Sequence, residues 1–325
     1  MTQRIPSFYK TFDVDPRKVA LELELGLTAP QAHCSPKYFY NALGSTLFEA
    51  ITHLPEYYPT RTEAGIFAEH ANEIHRHIPK QAAWIDLGAG SCQKAAGLFA
   101  GTAPGVYVAV DISLDYLTDT LVQLQRSHPA VDMVGVGMDF SSTLDFPAVL
   151  ASQFTERPVF AFYPGSSLGN FTPSEALGFL GRISALCKKA QPGSGLMIGI
   201  DLVKSTEVLE RAYDDDLGVT AAFNLNVLRH INTLLGTDFD VRDWQHQAVF
   251  NETESRIEMH LIARHVLTVS WGDRSRVFQA GEGIHTENSY KWTIPDFNEL
   301  LRRAGFSETQ HWTDSEQQFA VFWAS

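Results

Sequence analysis

The stretch that most constrains this chain is 82–94, AAWIDLGAGSCQK. Ala83, Trp84, Ile85 and Asp86 have strand character and run into Leu87-Gly88-Ala89-Gly90, after which comes a helix-compatible segment. A strand that ends in a glycine turn lets a ligand approach the backbone, and the helix beyond it offers unpaired N–H groups. The pattern predicts a nucleotide-like cofactor. Beyond residue 105 the chain alternates in type: strands at 106–110, 131–136, 158–163 and 195–201, with helices at 114–126, 147–154 and 173–190 between them. Strands alternating with helices predict an α/β fold built on a doubly wound, mainly parallel sheet.

Outside that run the period changes. A short helix is expected at 16–27 and another at 62–77. Between them, 35–63 is dense in aromatics: Tyr38, Phe39, Tyr40, Phe48, Tyr57 and Tyr58, broken by Gly44, Pro55 and Pro59. Most such rings serve as core, yet tyrosine joins an apolar face to a polar tip and suits a pocket for a small polar molecule. After 201 the α/β pattern gives way to an insertion. It holds a helix from about 220 to 235, stopped by Gly236, and two strands, 245–251 and 255–264, paired across an ETES turn with Ile257, Met259 and Leu261 on one face. The run Asp214-Asp215-Asp216 reads as a solvated helix start, since acids favour that end of a helix. Helix 298–304 and strand 319–323 return to the sheet.

Composition narrows the partners. The net charge of -13 and the absence of a basic run longer than Lys188-Lys189 or Arg302-Arg303 argue against nucleic acid. An acidic cleft suits a small cationic ligand. No stretch has the length or apolarity of a membrane span, and the N-terminus lacks an apolar leader. Three scattered cysteines without a CxxC exclude a disulfide framework and fit a reducing compartment, so a cytoplasmic protein is expected. His70, His75 and His77 fall on one expected helix, but 75 and 77 point to opposite faces, and no metal is expected. The sequence sets no oligomeric state; a monomer is compatible with it.

The cofactor is read from the strand ends. A dinucleotide fingerprint requires a third glycine, and Gln93 stands in its place. Acids sit instead at three successive strand ends. Asp86 precedes the turn, Asp111 is placed to accept both ribose hydroxyl hydrogens, and Asp139 with Phe140 can bond and stack an adenine. Nothing resembles the Lys/Arg clamp of a nucleoside triphosphate. An adenosine without phosphates points to S-adenosylmethionine and a methyltransferase, with a nicotinamide oxidoreductase or a cofactor-binding regulator as the rival readings. After the fourth strand the sequence reads YPGSSLGN rather than the N-P-P-[YF] loop of base-amine methyltransferases, which points to a small-molecule acceptor.

The segments KYFYNALGSTLFEAITHLPEYYPTRTE, DLGAGSCQK, FYPGSSLGNF, AYDDDLGVTAAFNLNVLRHIN, RIEMHL and HTENSYKW, in this order over nearly the whole chain, resemble the L-histidine Nα-methyltransferases of ergothioneine biosynthesis. The resemblance implies a Rossmann-like class I methyltransferase domain at 62–201 plus 288–325 and a substrate-binding domain at 1–61 plus 202–287, with histidine between the two. It also implies trimethylation of the histidine α-amine to hercynine. Gly88, Lys94, Asp111, Asp139 and Phe140 match cofactor-binding positions. Asn170 and Tyr213 match positions that hold the substrate carboxylate, and Tyr57 a histidine-contacting one. Glu287 and Ser289 match the pair that grips the imidazole, with Met259 packing nearby, and Tyr40 lies in the motif near the amine, where its hydroxyl can orient the lone pair or relay a proton. Glu287 can accept from one ring N–H, and Ser289 can serve the other nitrogen. Two departures, Ser91-Cys92 in the glycine turn and Asn288 between the imidazole residues, leave another aromatic amino acid or a histidine derivative as the alternative acceptor.

Overall fold

The computed structural model describes residues 4–11 and 15–325. Its contacts divide the described residues into two compact units. The first comprises those within Met1–Asp13, Arg61–Leu202 and Trp292–Ser325; the second comprises Val14–Thr60 and Val203–Lys291. These bounds match the expected domains to within one residue near 61 and 202, and differ in the N-terminal segment and near 288. Residues 7–10 form a strand of the first unit's sheet, and 288–290 continue a strand that belongs to the second.

The first unit is built on one sheet of β1 (Ser7–Lys10), β2 (Ala83–Leu87), β3 (Val106–Asp111), β4 (Met133–Gly137), β5 (Val159–Tyr163) and β6 (Gly195–Asp201). It is completed, after the five strands of the second unit, by β12 (Thr309–Thr313) and β13 (Phe319–Ala324). The order is β1-β4-β3-β2-β5-β6-β13-β12, parallel from β1 through β6 and antiparallel at β13 and β12. Strands β2, β4, β5, β6 and β13 are buried along their whole length. That is why they read as continuous apolar runs and not as alternations. The order reverses between β2 and β5, and in open α/β sheets ligands bind at the carboxyl ends beside such a reversal. Helix Pro173–Lys189 covers one face with Ala176, Phe179, Leu180 and Ile183, and starts from a capping box between Thr172 and Glu175.

Two expected helices are each broken in the structure. The segment after the glycine turn forms two single turns, Gln93–Ala96 and Phe99–Thr102, and not one longer helix. Gly97 sits at the first break. Gly101 lies so close to the His75 ring that an added Cβ would meet it at 2.5 Å. The segment 62–77 is likewise two helices, Tyr58–Glu69 and Ala71–His77, separated at His70.

In the second unit, helices Pro16–Thr28, Ala42–Thr52 and Val219–Leu235 pack with an antiparallel sheet of β7 (Trp244–Asn251), β8 (Arg256–Ala263) and β11 (Gly283–Tyr290), ordered β11-β8-β7. A separate hairpin joins β9 (Leu267–Trp271) and β10 (Arg274–Phe278). Gly236 stops the long helix at φ 71°, as expected. The acidic run before that helix is not simply solvated. Asp215 is buried, and its carboxylate accepts from the Val219 and Thr220 amides at 3.0 and 2.7 Å. These bonds supply the unpaired N–H groups of the first turn with partners.

Candidate active site

The first unit gathers the expected cofactor residues at the carboxyl ends of β2, β3 and β4. Gly88 and Gly90 take φ values of 69° and 49°, which lets the turn double back. A Cβ at Gly88 would stand 3.5 Å from Phe140 Cζ, in ordinary van der Waals contact, so it is the positive φ that calls for glycine beside that ring. Asp111 stabilises the turn itself: one carboxylate oxygen accepts from the Gly90 amide at 3.0 Å and the other from the Ser113 amide at 3.0 Å. A carboxylate has about four acceptor sites; the Gly90, Ser113 and Ile112 amides draw on them, and the remaining capacity suits a ribose hydroxyl. Burial pushes the Asp111 carboxyl above its ordinary range, opposed by those amides. Asp139, at the end of β4, accepts from the Ser141 backbone amide at 3.2 Å and from the Ser141 hydroxyl.

Two residues in this region depart from the simple picture of one acid per strand facing a ligand. Asp86 is buried within the fold and accepts the Tyr107 hydroxyl at 2.6 Å. Burial pushes its carboxyl up to about 7, against the pull of the Tyr107 bond and Lys94. Lys94 pairs with Glu63 at 2.7 Å. Glu63 is only 1% exposed, and its other oxygen accepts the Gly165 amide at 2.7 Å. One buried carboxylate therefore ties the glycine-turn lysine to the PGSS loop after β5. A Cβ at Gly199 would collide with it at 2.0 Å, so glycine in β6 makes its room. Sequence reasoning missed Glu63, although it closes the PEYYPTRTE motif; a lone acid in a helix gave no sign of its partners.

The second unit holds most of the expected substrate residues. A chain of edge-on rings runs from Tyr40 to Phe48 (5.9 Å between centroids), Phe48 to Tyr57 (6.3 Å) and Tyr57 to Tyr213 (6.2 Å). Tyr57 and Tyr213 are buried, and Tyr40 is partly so. Tyr213 ends the helix Thr206–Tyr213, and its hydroxyl lies 2.7 Å from that of Ser289. Met259 is buried on β8 opposite Glu287. Asn170 belongs to the first unit, where it ends the 3-10 turn Ser167–Asn170 after β5.

The pairing of β11 with β8 explains how Glu287 and Ser289 come to share a face with Met259. His285 pairs with His260 on the outer face; then the register shifts, and Glu287 pairs with Met259 and Ser289 with Ile257 on the inner one. Thr286 is the extra residue of a β-bulge, its hydroxyl bonded to the Met259 carbonyl at 3.0 Å. A bulge inverts the side-chain alternation beyond it, and without it Glu287 would fall on the outer face beside His260. Asn288, the departure noted in the sequence, stays on the outer face opposite Glu258. Burial pushes the partly buried Glu287 carboxyl up to about 8, against the opposing pull of Lys291. Lys291 was also missed. It is 3% exposed and donates to Ser289 Oγ at 2.8 Å and Tyr213 Oη at 3.1 Å. On the outer face, among the described residues, Glu258, His260 and His285 lie close enough to share an ion, but the Glu258 carboxylate already holds Arg256 at 2.7 Å.

A family model described as "Histidine-specific methyltransferase, SAM-dependent" matches residues 19–325. The chain belongs to that family. A histidine N-alpha-methyltransferase of Mycolicibacterium smegmatis is 38% identical over 308 residues, covering 92% of each chain. One of Mycobacterium tuberculosis is 37% identical, covering 91% of each. Ergothioneine biosynthesis protein 1 of Neurospora crassa is 30% identical over 92% of this chain and 35% of its own length. The chain is thus an S-adenosylmethionine-dependent methyltransferase, and the sheet order with its antiparallel β13 is the Rossmann-like α/β architecture expected from the sequence. No helix among the described residues is long and apolar enough to cross a membrane.

Proposed function

We propose that this chain transfers methyl groups from S-adenosylmethionine to the α-amine of L-histidine, ending at the trimethylated betaine hercynine, as a step of ergothioneine biosynthesis. The observation that carries the reading is the bulge at Thr286, which turns Glu287 and Ser289 together onto the inner face beside Met259. A carboxylate and a hydroxyl two residues apart on one strand face suit an imidazole, which offers one N–H and one bare nitrogen.

Each residue takes its role from this assignment. In the first unit, Gly88, Asp111, Asp139 and Phe140 hold the cofactor: the glycine turn beside the Phe140 ring and the remaining acceptor capacity of Asp111 suit an adenosine. Lys94, fixed by Glu63, supplies positive charge for the cofactor's carboxylate. The cofactor's sulfonium supplies an electrophilic methyl group. In the second unit, Glu287, Ser289 and Met259 take the ring, while Tyr57 and Tyr213 line the amino-acid end. Asn170 of the first unit is assigned to the substrate carboxylate.

Methyl transfer is an in-line displacement, so the protein's task is to orient a neutral amine and exclude water. An α-amine with a reference pKa of about 8 is partly neutral at physiological pH, and we assign Tyr40 the role of orienting its lone pair or relaying the released proton. Each product amine keeps a lone pair until it is quaternary, so the step can repeat. Aromatic faces such as those of Tyr40 and Tyr57 stabilise the resulting cation. The displacement calls for no metal ion. Three buried free cysteines suit a reducing compartment, and we assign the chain to the cytoplasm.

The test is a panel of amino acids incubated with the protein and S-adenosylmethionine, then analysed by mass spectrometry. Histidine is expected to gain methyls while phenylalanine, tyrosine and tryptophan do not. Methylation of another aromatic amino acid in preference to histidine would favour the alternative acceptor.

A further inference from the structure

The buried ammonium of Lys291 has no part in the roles assigned above, and its contacts bear on how the ring is read. Lys291 lies just past β11, on the same face as Ser289 and Glu287, which precede it by two and four residues. Its Nζ reaches Ser289 Oγ at 2.8 Å and Tyr213 Oη at 3.1 Å, and stands 4.7 Å from the Tyr213 ring centroid. The two hydroxyl oxygens are 2.7 Å apart. An ammonium donates and never accepts; a hydroxyl carries one hydrogen and two lone pairs. Either hydroxyl can donate in that pair. When Tyr213 donates to Ser289 Oγ beside Lys291, both lone pairs of Ser289 are occupied. The only group Ser289 then has left for a ligand is its hydrogen.

We propose that Tyr213 donates to Ser289 and that Lys291 is a positioning residue that makes Ser289 an obligate hydrogen-bond donor, so that the site takes an imidazole with a bare nitrogen facing Ser289 and an N–H facing Glu287. This rests on the reading of Glu287 and Ser289 as the ring's partners. It adds a direction to that reading. A ring whose second nitrogen is replaced by carbon, or is protonated, presents a hydrogen to a hydroxyl that can only donate.

The experiment measures binding by titration calorimetry with histidine and with its pyrrole analogue, which keeps one ring N–H and has carbon in place of the bare nitrogen. The wild-type protein is expected to prefer histidine by about tenfold to a hundredfold, the range for one buried hydrogen bond with its partner left unsatisfied. Lys291→Met is expected to bring the two ligands within a few-fold of each other, mainly by weakening histidine. It should raise the Michaelis constant for histidine while changing the turnover number little, and leave S-adenosylmethionine affinity intact. Ser289→Ala, which keeps the ammonium, should collapse the same preference. The double variant should lose no more than either single one. A histidine preference retained in Lys291→Met or in Ser289→Ala overturns the proposal, as does a Lys291→Met variant that loses turnover at an unchanged Michaelis constant. Failure of the wild-type protein to bind histidine at all would instead overturn the underlying substrate assignment.

Discussion

Glu287 offers a quantitative handle on the substrate assignment. Burial pushes its carboxyl up to about 8, from an ordinary value of 4.5. At 1.36 kcal/mol per unit, ionising it in the free protein costs about 5 kcal/mol more than in water. If an imidazole N–H donates to the ionised carboxylate, binding must expel the proton that Glu287 holds at neutral pH. At pH 7 a group with this pKa is about 90% protonated, so histidine binding should release about 0.9 of a proton from this source. Calorimetric titration at pH 7 in two buffers of different ionisation enthalpy counts that proton. Glu287→Gln, which mimics the neutral acid, should release about 0.9 fewer, and the difference cancels protons lost by the ligand. The wild-type affinity should climb about tenfold per pH unit from this group up to about 8 and then level off. The sign for stability is the opposite. Below about 4.5 both the folded and unfolded chains hold the proton; between 4.5 and about 8 only the folded one does, so stability drains away as pH rises. Glu287→Gln should therefore raise the melting temperature at pH 9 and leave it unchanged at pH 4. Equal proton counts for the two proteins would refute the reasoning and show that the carboxyl grips the ring while still protonated.

The first unit supplies three more expected outcomes. Asp111→Ala is expected to weaken S-adenosylmethionine binding at least tenfold by calorimetry, since it removes the proposed diol acceptor and frees the Gly90 amide. Glu63→Ala strips partners from Lys94 and from the Gly165 amide; denaturant unfolding should show a loss of about 1–3 kcal/mol together with weaker cofactor binding. Asp86→Asn should raise the melting temperature at pH 8.5 but not at pH 4. Its carboxyl, pushed up to about 7, contributes stability that is lost between its ordinary range and that value.

The sheet was legible because parallel strands buried on both faces announce themselves as apolar runs separated by amphipathic helices, and Gly236 marked a helix end by local chemistry alone. The edge strands were not. Residues 7–10 and 309–313 are short and largely exposed, and only pairing makes them strands. Strand-end position located Asp111 and Asp139, yet it gave Asp86 the same standing. Which acid turns inward is decided by Tyr107 on the neighbouring strand, a contact no spacing reveals. Glu287 and Ser289, the proposed ring partners, came only through resemblance, because their shared face depends on one extra residue, Thr286, whose bulge leaves no periodic trace in HTENSYKW. Glu63 and Lys291 were invisible for a related reason: each is a single charged residue whose partners lie about 30 to 100 residues away or in a neighbouring hydroxyl pair.

The central claim is that the methyl group lands on the α-nitrogen of histidine. Fragmentation mass spectrometry of the product formed from deuteriomethyl-labelled S-adenosylmethionine tests it most directly. Label should appear in up to three methyls on the α-nitrogen, with an unlabelled imidazole fragment. Label on a ring nitrogen, or none on histidine at all, would contradict it.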